Sequence, residues 1–542
     1  MGARRWDDEA DVVVVGFGAA GVCAAIEAAE AGADVLAVDR FAGGGSACFS
    51  GGVVYAGGGT PEQQTAGVSD DPEEMYRYLR LETRGAVSDA TLRRFCDESV
   101  ATLAWLKEHG VRFDGSPAPY RTSYPAGDHH LYDAGNEHSG PARAVAVPAQ
   151  RGHIAYGKGP PGEALFGPLA RTAGRYGVRL QQQTRVTGLL TDDEGRVVGV
   201  EGETIRRAPG RVRREHRAVA ARIGRLNLWY RPVARRLTAR LEQLERRFAR
   251  PWRVRVNRGV VLATGGFAAN RDLVRELAPA YAAGVPLGTL GDDGSGLELG
   301  RSLGAATAHL DRFSAWRFFT PPAALAKGVL LGPGGERVCD ESLYGATVAE
   351  HVVHEHGGRA YLLVDQAVAD EARAQVRDQA SLFQRRRAHS MLGSGSVTGG
   401  TVKEAVAKAG IDVAVAQATV AAYNAVASAG VEDPLGKPRE LLQPIERAPF
   451  LLVDVSVRSS MRFPCPVMSL GGLVVDEGTG QVLRDGGSPV PGLYAAGRTA
   501  VGICSESYVS GLSLADCVFG GRRAGRAVVA ETPGVPAGRR TG

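Results

Sequence analysis

The chain opens with a short unbroken apolar run, Asp-Val-Val-Val-Val over positions 11–15, which is rich in β-branched residues and too short for a buried helix. It ends in Gly16-Phe-Gly18-Ala19-Ala20-Gly21. Positions 22–31 then carry small and apolar residues at helical spacing, and a second short run over 34–38 is closed by Asp39. Strand, glycine turn, helix, strand and acid in this order predict a βαβ unit with the dinucleotide fingerprint. Gly16 makes the turn, Gly18 admits a pyrophosphate, Gly21 lets helix and strand pack closely, and Asp39 faces a ribose.

The alternation of buried strand and glycine turn recurs twice. Residues 258–267 (RGVVLATGGF) read as a strand ending in glycines, and Gly291-Asp-Asp293-Gly-Ser-Gly296 opens a helix with amides suited to phosphate. Near the C-terminus, GLYAAGR over 492–498 is a strand running into a turn, and a helix packed on a sheet is expected from Ser513 onward. A small-residue turn feeding a helix is an anion site, so the N–H groups of Ser510, Gly511 and Leu512 are expected to stand unpaired toward a bound ring system or phosphate. The loop GGGSACFSGG over 43–52 lets a flavin and its diphosphate lie flat against backbone, a need that a nicotinamide enzyme does not have.

Residues 206–255 follow another pattern. Val219, Ile223, Leu226 and Tyr230, then Leu237, Leu241, Leu244 and Phe248, recur at helical spacing, with Pro232 separating two helices. Charge singles out the same stretch: seventeen arginines against three glutamates make it +14, leaving −9 for the remainder of a chain whose total is +5. Basic amphipathic helices with Trp229 and Tyr230 at their junction suit peripheral contact with an anionic membrane. A solvated hairpin packed on the rest of the protein accounts for the same pattern.

A chain of 542 residues implies two or three domains, and 73 glycines clustered between apolar runs suit tight turns rather than disorder. No apolar run approaches the ~20 residues of a membrane span, and charge followed by a strand at the start argues against a signal peptide, so a cytoplasmic location is expected. Seven scattered cysteines, without a CxxC pair or His/Cys ligand spacing, fit reduced thiols and no structural metal.

The N-terminal fingerprint, the SGG loop, VVLATGGF, GDDGSG, PVMSLGGLVVD and GLYAAGR followed by SLADCVFGGRRAG, in this order, resemble the fumarate reductase and 3-ketosteroid dehydrogenase family of FAD proteins. The resemblance implies an α/β fold: a Rossmann-type FAD-binding domain built from both chain ends with an inserted α+β capping domain. On this chain it places the FAD-binding domain at 1–205, 257–312 and 445–542, the basic insertion at 206–256 and the cap at 313–444, with cap helices near 404–409 and 413–427. It implies non-covalent FAD, because relatives that attach it use a histidine missing from this loop. Contacts are implied from Gly16, Gly18, Ala19, Ala20, Gly21, Asp39 and Arg40, and from Gly44, Gly45, Ser46, Ser50, Gly51 and Gly52. Further contacts are implied from Val186, Ala263, Thr264, Gly265 and Asp293, and from Gly497, Arg498, Ser513 and Leu514.

Dicarboxylate reductases of this family carry an arginine just before SLAD, a His-Thr-Met before the preceding Gly-Gly, and a catalytic arginine. Here those places hold Ser507-Tyr508-Val509-Ser510-Gly511, the segment Val467 to Leu470, and Gly345. The Tyr508-Val-Ser510 run resembles the 3-keto-5α-steroid Δ4-dehydrogenases, and Tyr344 falls where they place a second tyrosine; Δ4 chemistry is preferred over Δ1, since Leu512 replaces the oxyanion glycine of the latter. Dehydrogenation beside a ketone needs a polarised carbonyl, a base for the α-proton and a hydride acceptor. Tyr508 with the amides of Gly511 or Leu512 would stabilise the enolate. Tyr344 or Tyr508 would be the base, in surroundings that must favour phenolate, with Ser510 hydrogen-bonding the phenol.

Tyr120, Tyr124, Tyr132, Trp316, Phe318 and Phe319 are candidates for lining an apolar substrate pocket, with core packing as the alternative, and His129 and His130 are expected at the surface. The partner expected is a hydrophobic steroid-like ketone, with no nucleic acid and an unidentified electron acceptor. The competing readings are a flavin-dependent reductase of an activated alkene, and a non-catalytic flavoprotein that binds membrane or RNA through its basic hairpin.

Overall fold

The computed structural model describes residues 5–226, 230–458 and 463–531. β1 (Asp8–Val15) runs through the glycine turn into α1 (Ala19–Glu30) and β2 (Val35–Val38). Then follow β3 (Arg179–Gln181), β4 (Thr184–Thr191), β5 (Val197–Thr204), the helices α2 (Gly210–Leu226) and α3 (Arg231–Phe248), and β6 (Arg250–Leu262). Beyond them lie α4 (Gly345–His356), β7 (Gln481–Leu483), β8 (Pro489–Ala495) and α5 (Leu512–Ala530).

One sheet has the order β7-β8-β6-β1-β2-β3, with β5 also paired to β6 and β4 to β5. β1 runs parallel to β2 and β6, and β8 runs parallel to β6, with Leu493 to Ala495 beside Val260 to Leu262. Val12 to Val15 are buried on both faces, as a central parallel strand requires. The dinucleotide-type domain is therefore built from both chain ends, and the C-terminal strand sits two places from the first.

Helices α1 and α5 meet almost backbone to backbone. A Cβ on Gly521 would lie 2.4 Å from the Ala20 carbonyl oxygen, and one on Gly525 would lie 2.4 Å from that of Ala24. Gly21 is equally confined, its added Cβ falling 2.0 Å from the Gly16 carbonyl oxygen. Arg522 closes the contact with an ion pair to Glu27 at 2.5 Å.

The inserted unit carries a four-stranded antiparallel sheet in the order Val329–Leu331, Tyr361–Val364, Phe450–Asp454, Ser396–Gly399, with α4 and the helices Gln366–Gln379, Val402–Lys408 and Val413–Ala429 around it. Its third strand lies beyond residue 444, where the sequence reading ended the cap. The run Phe-Leu-Leu-Val-Asp is apolar up to its last residue and carries no mark of the sheet it will join. Phe313–Ala315, read as the start of the cap, pairs instead with Pro466–Ser469.

The basic insertion links β5 to β6. Val219, Ile223 and Leu241 are buried in a cluster that takes in Phe41, Leu237 and Leu290, and the Phe49 ring lies 2.6 Å from where a Cβ on Gly224 would stand. The apolar stripe faces the dinucleotide domain, the arrangement of a packed hairpin. Tyr230 is exposed, and Trp229 lies outside the described residues. Arg250, Arg253 and Arg255 are not helical; Arg250 opens β6, and Arg253 and Arg255 alternate along it with buried Trp252, Val254 and Val256.

Gly521→Ala should force α1 and α5 apart and cost about 1–3 kcal/mol in urea unfolding. Gly174→Ala is the control. It adds a Cβ to a helix at a place with no neighbour within 4 Å and should be neutral or stabilising by ~0.5–1 kcal/mol.

Candidate active site and cofactor groove

The groove starts at the N-terminus of α1. The N–H groups of Gly18, Ala19 and Ala20 have no acceptor among the described residues, and a Cβ on Gly18 would meet nothing closer than 3.9 Å, the Gly44 carbonyl oxygen and Gly45 Cα across the gap. Gly44 is held there by its N–H bond to the Phe17 carbonyl at 2.7 Å. A slot walled by backbone, with free amides and a helix N-terminus at its floor, fits a pyrophosphate. Asp39 takes the N–H groups of Phe17 at 3.0 Å and Phe41 at 2.8 Å, which fixes its carboxylate at the end of β2.

Several expected contacts do other work. Ser50 Oγ donates to the Ala47 carbonyl and accepts the Gly52 N–H, so it braces its own loop. Ser46 Oγ donates to Asp292 and accepts the Thr289 N–H. Asp292, not its neighbour Asp293, is the buried acid: it accepts the Gly266 N–H at 3.0 Å and pairs with Arg498 at 2.5 Å. The Arg498 Nη1 is buried with no partner, a donor left over for a bound group. Asp293 is drawn off to Arg40 at 3.1 Å. Arg40 itself is gripped by Glu245 of the insertion. Thr264 and Gly265 meet Thr499, whose Oγ1 accepts the Gly265 N–H at 3.1 Å; Val186 and Ala263 are buried alongside, and Gly497 abuts Ala20 and Cys517.

At the start of α5 the structure corrects the sequence reading. The Ser510 N–H is bonded to the Ala134 carbonyl at 2.8 Å and the Leu512 N–H to the Val509 carbonyl at 3.2 Å, so neither is a free donor, and the Leu512 side chain is core. The free amides are those of the next two residues, Ser513 and Leu514, which have no acceptor among the described residues. Gly511 has φ +82, and a Cβ there would lie 2.8 Å from the Tyr55 nitrogen.

Above this turn the tyrosines converge. Tyr508 and Tyr344 have ring centroids 6.4 Å apart; Trp316 stacks on Tyr508 at 6.3 Å and Phe318 packs on Tyr344 at 5.0 Å. Ser510 Oγ and the Tyr132 hydroxyl share a hydrogen bond of 2.6 Å. Burial raises the phenol pKa of Tyr508, with the neighbouring Cys504 adding and the Gly511 N–H opposing. It raises Tyr344 well above the usual range, with Tyr508 and Tyr132 adding and Ser510 opposing. These surroundings keep the phenols protonated, the reverse of what a resting phenolate needs.

Of the other aromatic candidates, Tyr124 packs on Tyr132 at 6.3 Å, Phe319 turns into the opposite core, and Tyr120 pairs edge-on with His129. His129 and His130 are half-buried, and His130 contacts Ser116 and Tyr156. Sequence reasoning missed Asn136, whose Oδ1 accepts the Tyr344 N–H at 2.7 Å and whose Nδ2 donates to Glu82 and Thr347. It sits in a Gly/Asp/Asn-rich segment that reads as surface loop, and no periodicity marks a buried polar knot.

A model of the FAD binding domain family matches residues 11–511. The chain is 37% identical to a 3-oxo-5-alpha-steroid 4-dehydrogenase of Comamonas testosteroni over 503 residues, 91% of this chain and 93% of the other. It is 22% identical to a fumarate reductase (cytochrome) of Shewanella frigidimarina, over 96% of this chain and 76% of the other. The solved structure of the 3-ketosteroid-delta4-(5alpha)-dehydrogenase from Rhodococcus jostii RHA1, in complex with 4-androstene-3,17-dione, is similar with a TM-score of 0.81 at 32% identity, covering 97% of this chain and 98% of that one.

The loop facing Gly18 holds one nucleophile that could attach a flavin, Cys48. Burial, with Glu163 and Asp39 adding, pushes its thiol up to about 12, so it stays protonated and unreactive. Acid precipitation should leave all yellow colour in the supernatant; colour in the pellet would show a covalent link.

Proposed function

Because this chain belongs to the FAD binding domain family of oxidoreductases, we propose that it is an FAD-dependent dehydrogenase that introduces a C=C bond next to the ketone of a 3-keto-5α-steroid, at Δ4. The observation that carries this reading is the meeting of Tyr508, Tyr344 and the Ser510–Tyr132 pair in an aromatic site without an anion clamp.

The residues present fit FAD. Amides at Gly18 to Ala20 suit its pyrophosphate, Arg498 Nη1 has a donor to spare, and the free amides of Ser513 and Leu514 at the head of a 19-residue helix suit an electron-rich ring edge. When bound, FAD supplies the acceptor for the hydride that leaves the carbon next to the one deprotonated. The protein supplies the rest. Tyr508, a neutral phenol, donates its O–H to the ketone oxygen, and that bond strengthens as enolate charge develops. The Gly511 N–H is turned to the Tyr508 phenol oxygen and supports that donor as charge develops. Tyr344 takes the α-proton as phenolate, with Ser510 held against it by Tyr132. Trp316 and Phe318 exclude water, which raises the worth of each donor.

The places of the dicarboxylate clamp support a neutral substrate. At Gly345 a Cβ would lie 2.2 Å from the Phe318 ring, so no longer side chain fits there as the site stands. Val467, Met468 and Leu470 are buried, and Ser469 Oγ is taken by the Phe267 N–H. Contact with a membrane, as a route for an apolar substrate, would fall to the hairpin's outward arginines with Tyr230 and Val233, since its apolar stripe is engaged internally. No helix among the described residues is long and apolar enough to cross a membrane.

The first test is spectral. Anaerobic mixing of the oxidised protein with a 5α-reduced 3-ketosteroid should bleach the flavin. No bleaching, together with reoxidation of the photoreduced protein by an enone, would mark an alkene reductase instead.

Tyr508→Phe keeps the ring and removes the donor. Turnover should fall about a hundredfold, ~3 kcal/mol, with folding and flavin content unchanged. Unchanged turnover would remove Tyr508 from the mechanism. Because burial raises the Tyr344 phenol, its ionised fraction grows about tenfold per pH unit through the neutral and alkaline range. kcat/KM should rise with that slope up to the limit of protein stability, and Tyr344→Phe should abolish both the activity and the slope.

A further inference from the structure

The insertion that the family resemblance leaves unexplained closes one end of the groove. A cavity of about 570 Å³ lies between the α2–α3 hairpin and the sheet. On the sheet side it is lined from just beyond the carboxyl ends of three strands: Arg40 after β2, Gln183 after β3, and Ala269 and Asn270 in the turn after β6. In a doubly wound domain the dinucleotide crosses the carboxyl ends of the strands, its pyrophosphate at the first turn and its adenosine on the side of the second strand. With the pyrophosphate slot at Gly18 and Asp39 at the end of β2, the adenosine half is directed into this cavity.

The outer wall is the hairpin. Glu245 of α3 accepts both Nε and Nη2 of Arg40, at 3.1 and 2.8 Å, while Nη1 of Arg40 reaches Asp293. His216 of α2, fully buried, donates from Nε2 to Glu245 at 3.1 Å, its Nδ1 accepting from the Gln183 amide. The chain Gln183–His216–Glu245–Arg40–Asp293 thus runs from sheet to hairpin and back. It uses three of the Arg40 N–H groups, so the guanidinium enters the cavity as a fixed wall and not as a free cation. Burial opposes the Glu245 charge, yet the bonds from His216 and Arg40 hold its carboxyl at about 2.

We propose that the hairpin is a retaining wall over the adenosine half of FAD, and that Glu245, a positioning residue acting through Arg40, sets how tightly the cofactor is kept. This rests on FAD being the cofactor; a wild-type protein purified without flavin would refute that premise and not this inference.

The test is the rate of FAD release from diluted holoenzyme, followed by recovery of flavin fluorescence, with the dissociation constant from re-titration. Glu245→Gln should raise the dissociation constant roughly tenfold to a hundredfold through faster release, while the visible spectrum stays unchanged because the isoalloxazine end is untouched. Glu215→Gln, which breaks the exposed pair with Arg240 on the same hairpin, should change neither. Thr238→Trp, which fills the cavity without touching the ion pairs, should also weaken FAD and stands in if Glu245→Gln fails to fold. The proposal is overturned if release is as slow as wild type in the folded variants, or if Glu245→Gln lowers the unfolding temperature equally with and without FAD while the dissociation constant holds.

Discussion

The contact on which the rest depends is the backbone-to-backbone packing of α1 on α5. One helix follows the first glycine turn of the chain and the other nearly ends it, and they approach this closely only because Gly521 and Gly525 present no side chain to Ala20 and Ala24. The two helices run in the same direction, and because Gly521 lies level with Ala20, the head of α5, with its free amides at Ser513 and Leu514, projects about two turns beyond the head of α1. Tyr508 and Ser510 are in the turn that leads into α5, so the residues assigned to the ketone are positioned by the element that closes the cofactor domain. A methyl group at either glycine would therefore disturb cofactor and substrate sites together.

Burial makes the tyrosine site selective and also makes it demanding. Phenols kept neutral by desolvation are good donors to a ketone and offer nothing to a dicarboxylate, whose two charges would enter a site where Arg498 is already neutralised by Asp292. The aromatic wall excludes a clamp by volume as well as by charge, since Phe318 occupies the space beside Gly345. The cost falls on the base. In the proposed mechanism Tyr344 must first give up its own proton in surroundings that favour keeping it, and Ser510 is the neighbour that opposes this. A site built this way trades base strength for rejection of anions.

What was legible in the sequence follows from how local each signal is. The βαβ fingerprint and the helix after Ser513 are written in contiguous residues, and the structure has each within a few positions; the strand read over 258–267 is also there but starts at Arg250, inside the stretch read as basic insertion. Tyr508 and Ser510 could be singled out because their run stands where the dicarboxylate relatives carry an arginine, and Tyr344 because it falls where the ketosteroid enzymes place a second tyrosine. The amides of Ser510 and Leu512 could not, because their acceptors, Ala134 and Val509, are a matter of how a distant loop and a turn close. Asp292 and Asp293 are adjacent and identical in type, and only the direction of each side chain separates a buried partner of Arg498 from a surface-side partner of Arg40. The hairpin shows the same limit in another form. A basic amphipathic pattern is common to a membrane-seeking helix and to one docked on its own protein, and the pairing of Glu245 with Arg40 across more than two hundred residues is what tells them apart.

One short loop ties the two halves of the tyrosine site together. Tyr132 holds the Ser510 hydroxyl, the Ala134 carbonyl holds the Ser510 N–H, and Asn136 holds the Tyr344 N–H while reaching Glu82 and Thr347. Glu137 braces the loop from within by accepting the N–H groups of Ala134 and Gly135. Tyr344 caps α4 of the inserted unit and Ser510 precedes α5 of the cofactor domain, so each half belongs to a different part of the fold. Were they held only by their own elements, any sliding of the inserted unit would change the distance between Tyr344 and the turn that carries Tyr508 and Ser510. Tied to the same five-residue stretch, the two halves are coupled to each other as well as to their own elements, through polar atoms that are buried and satisfied.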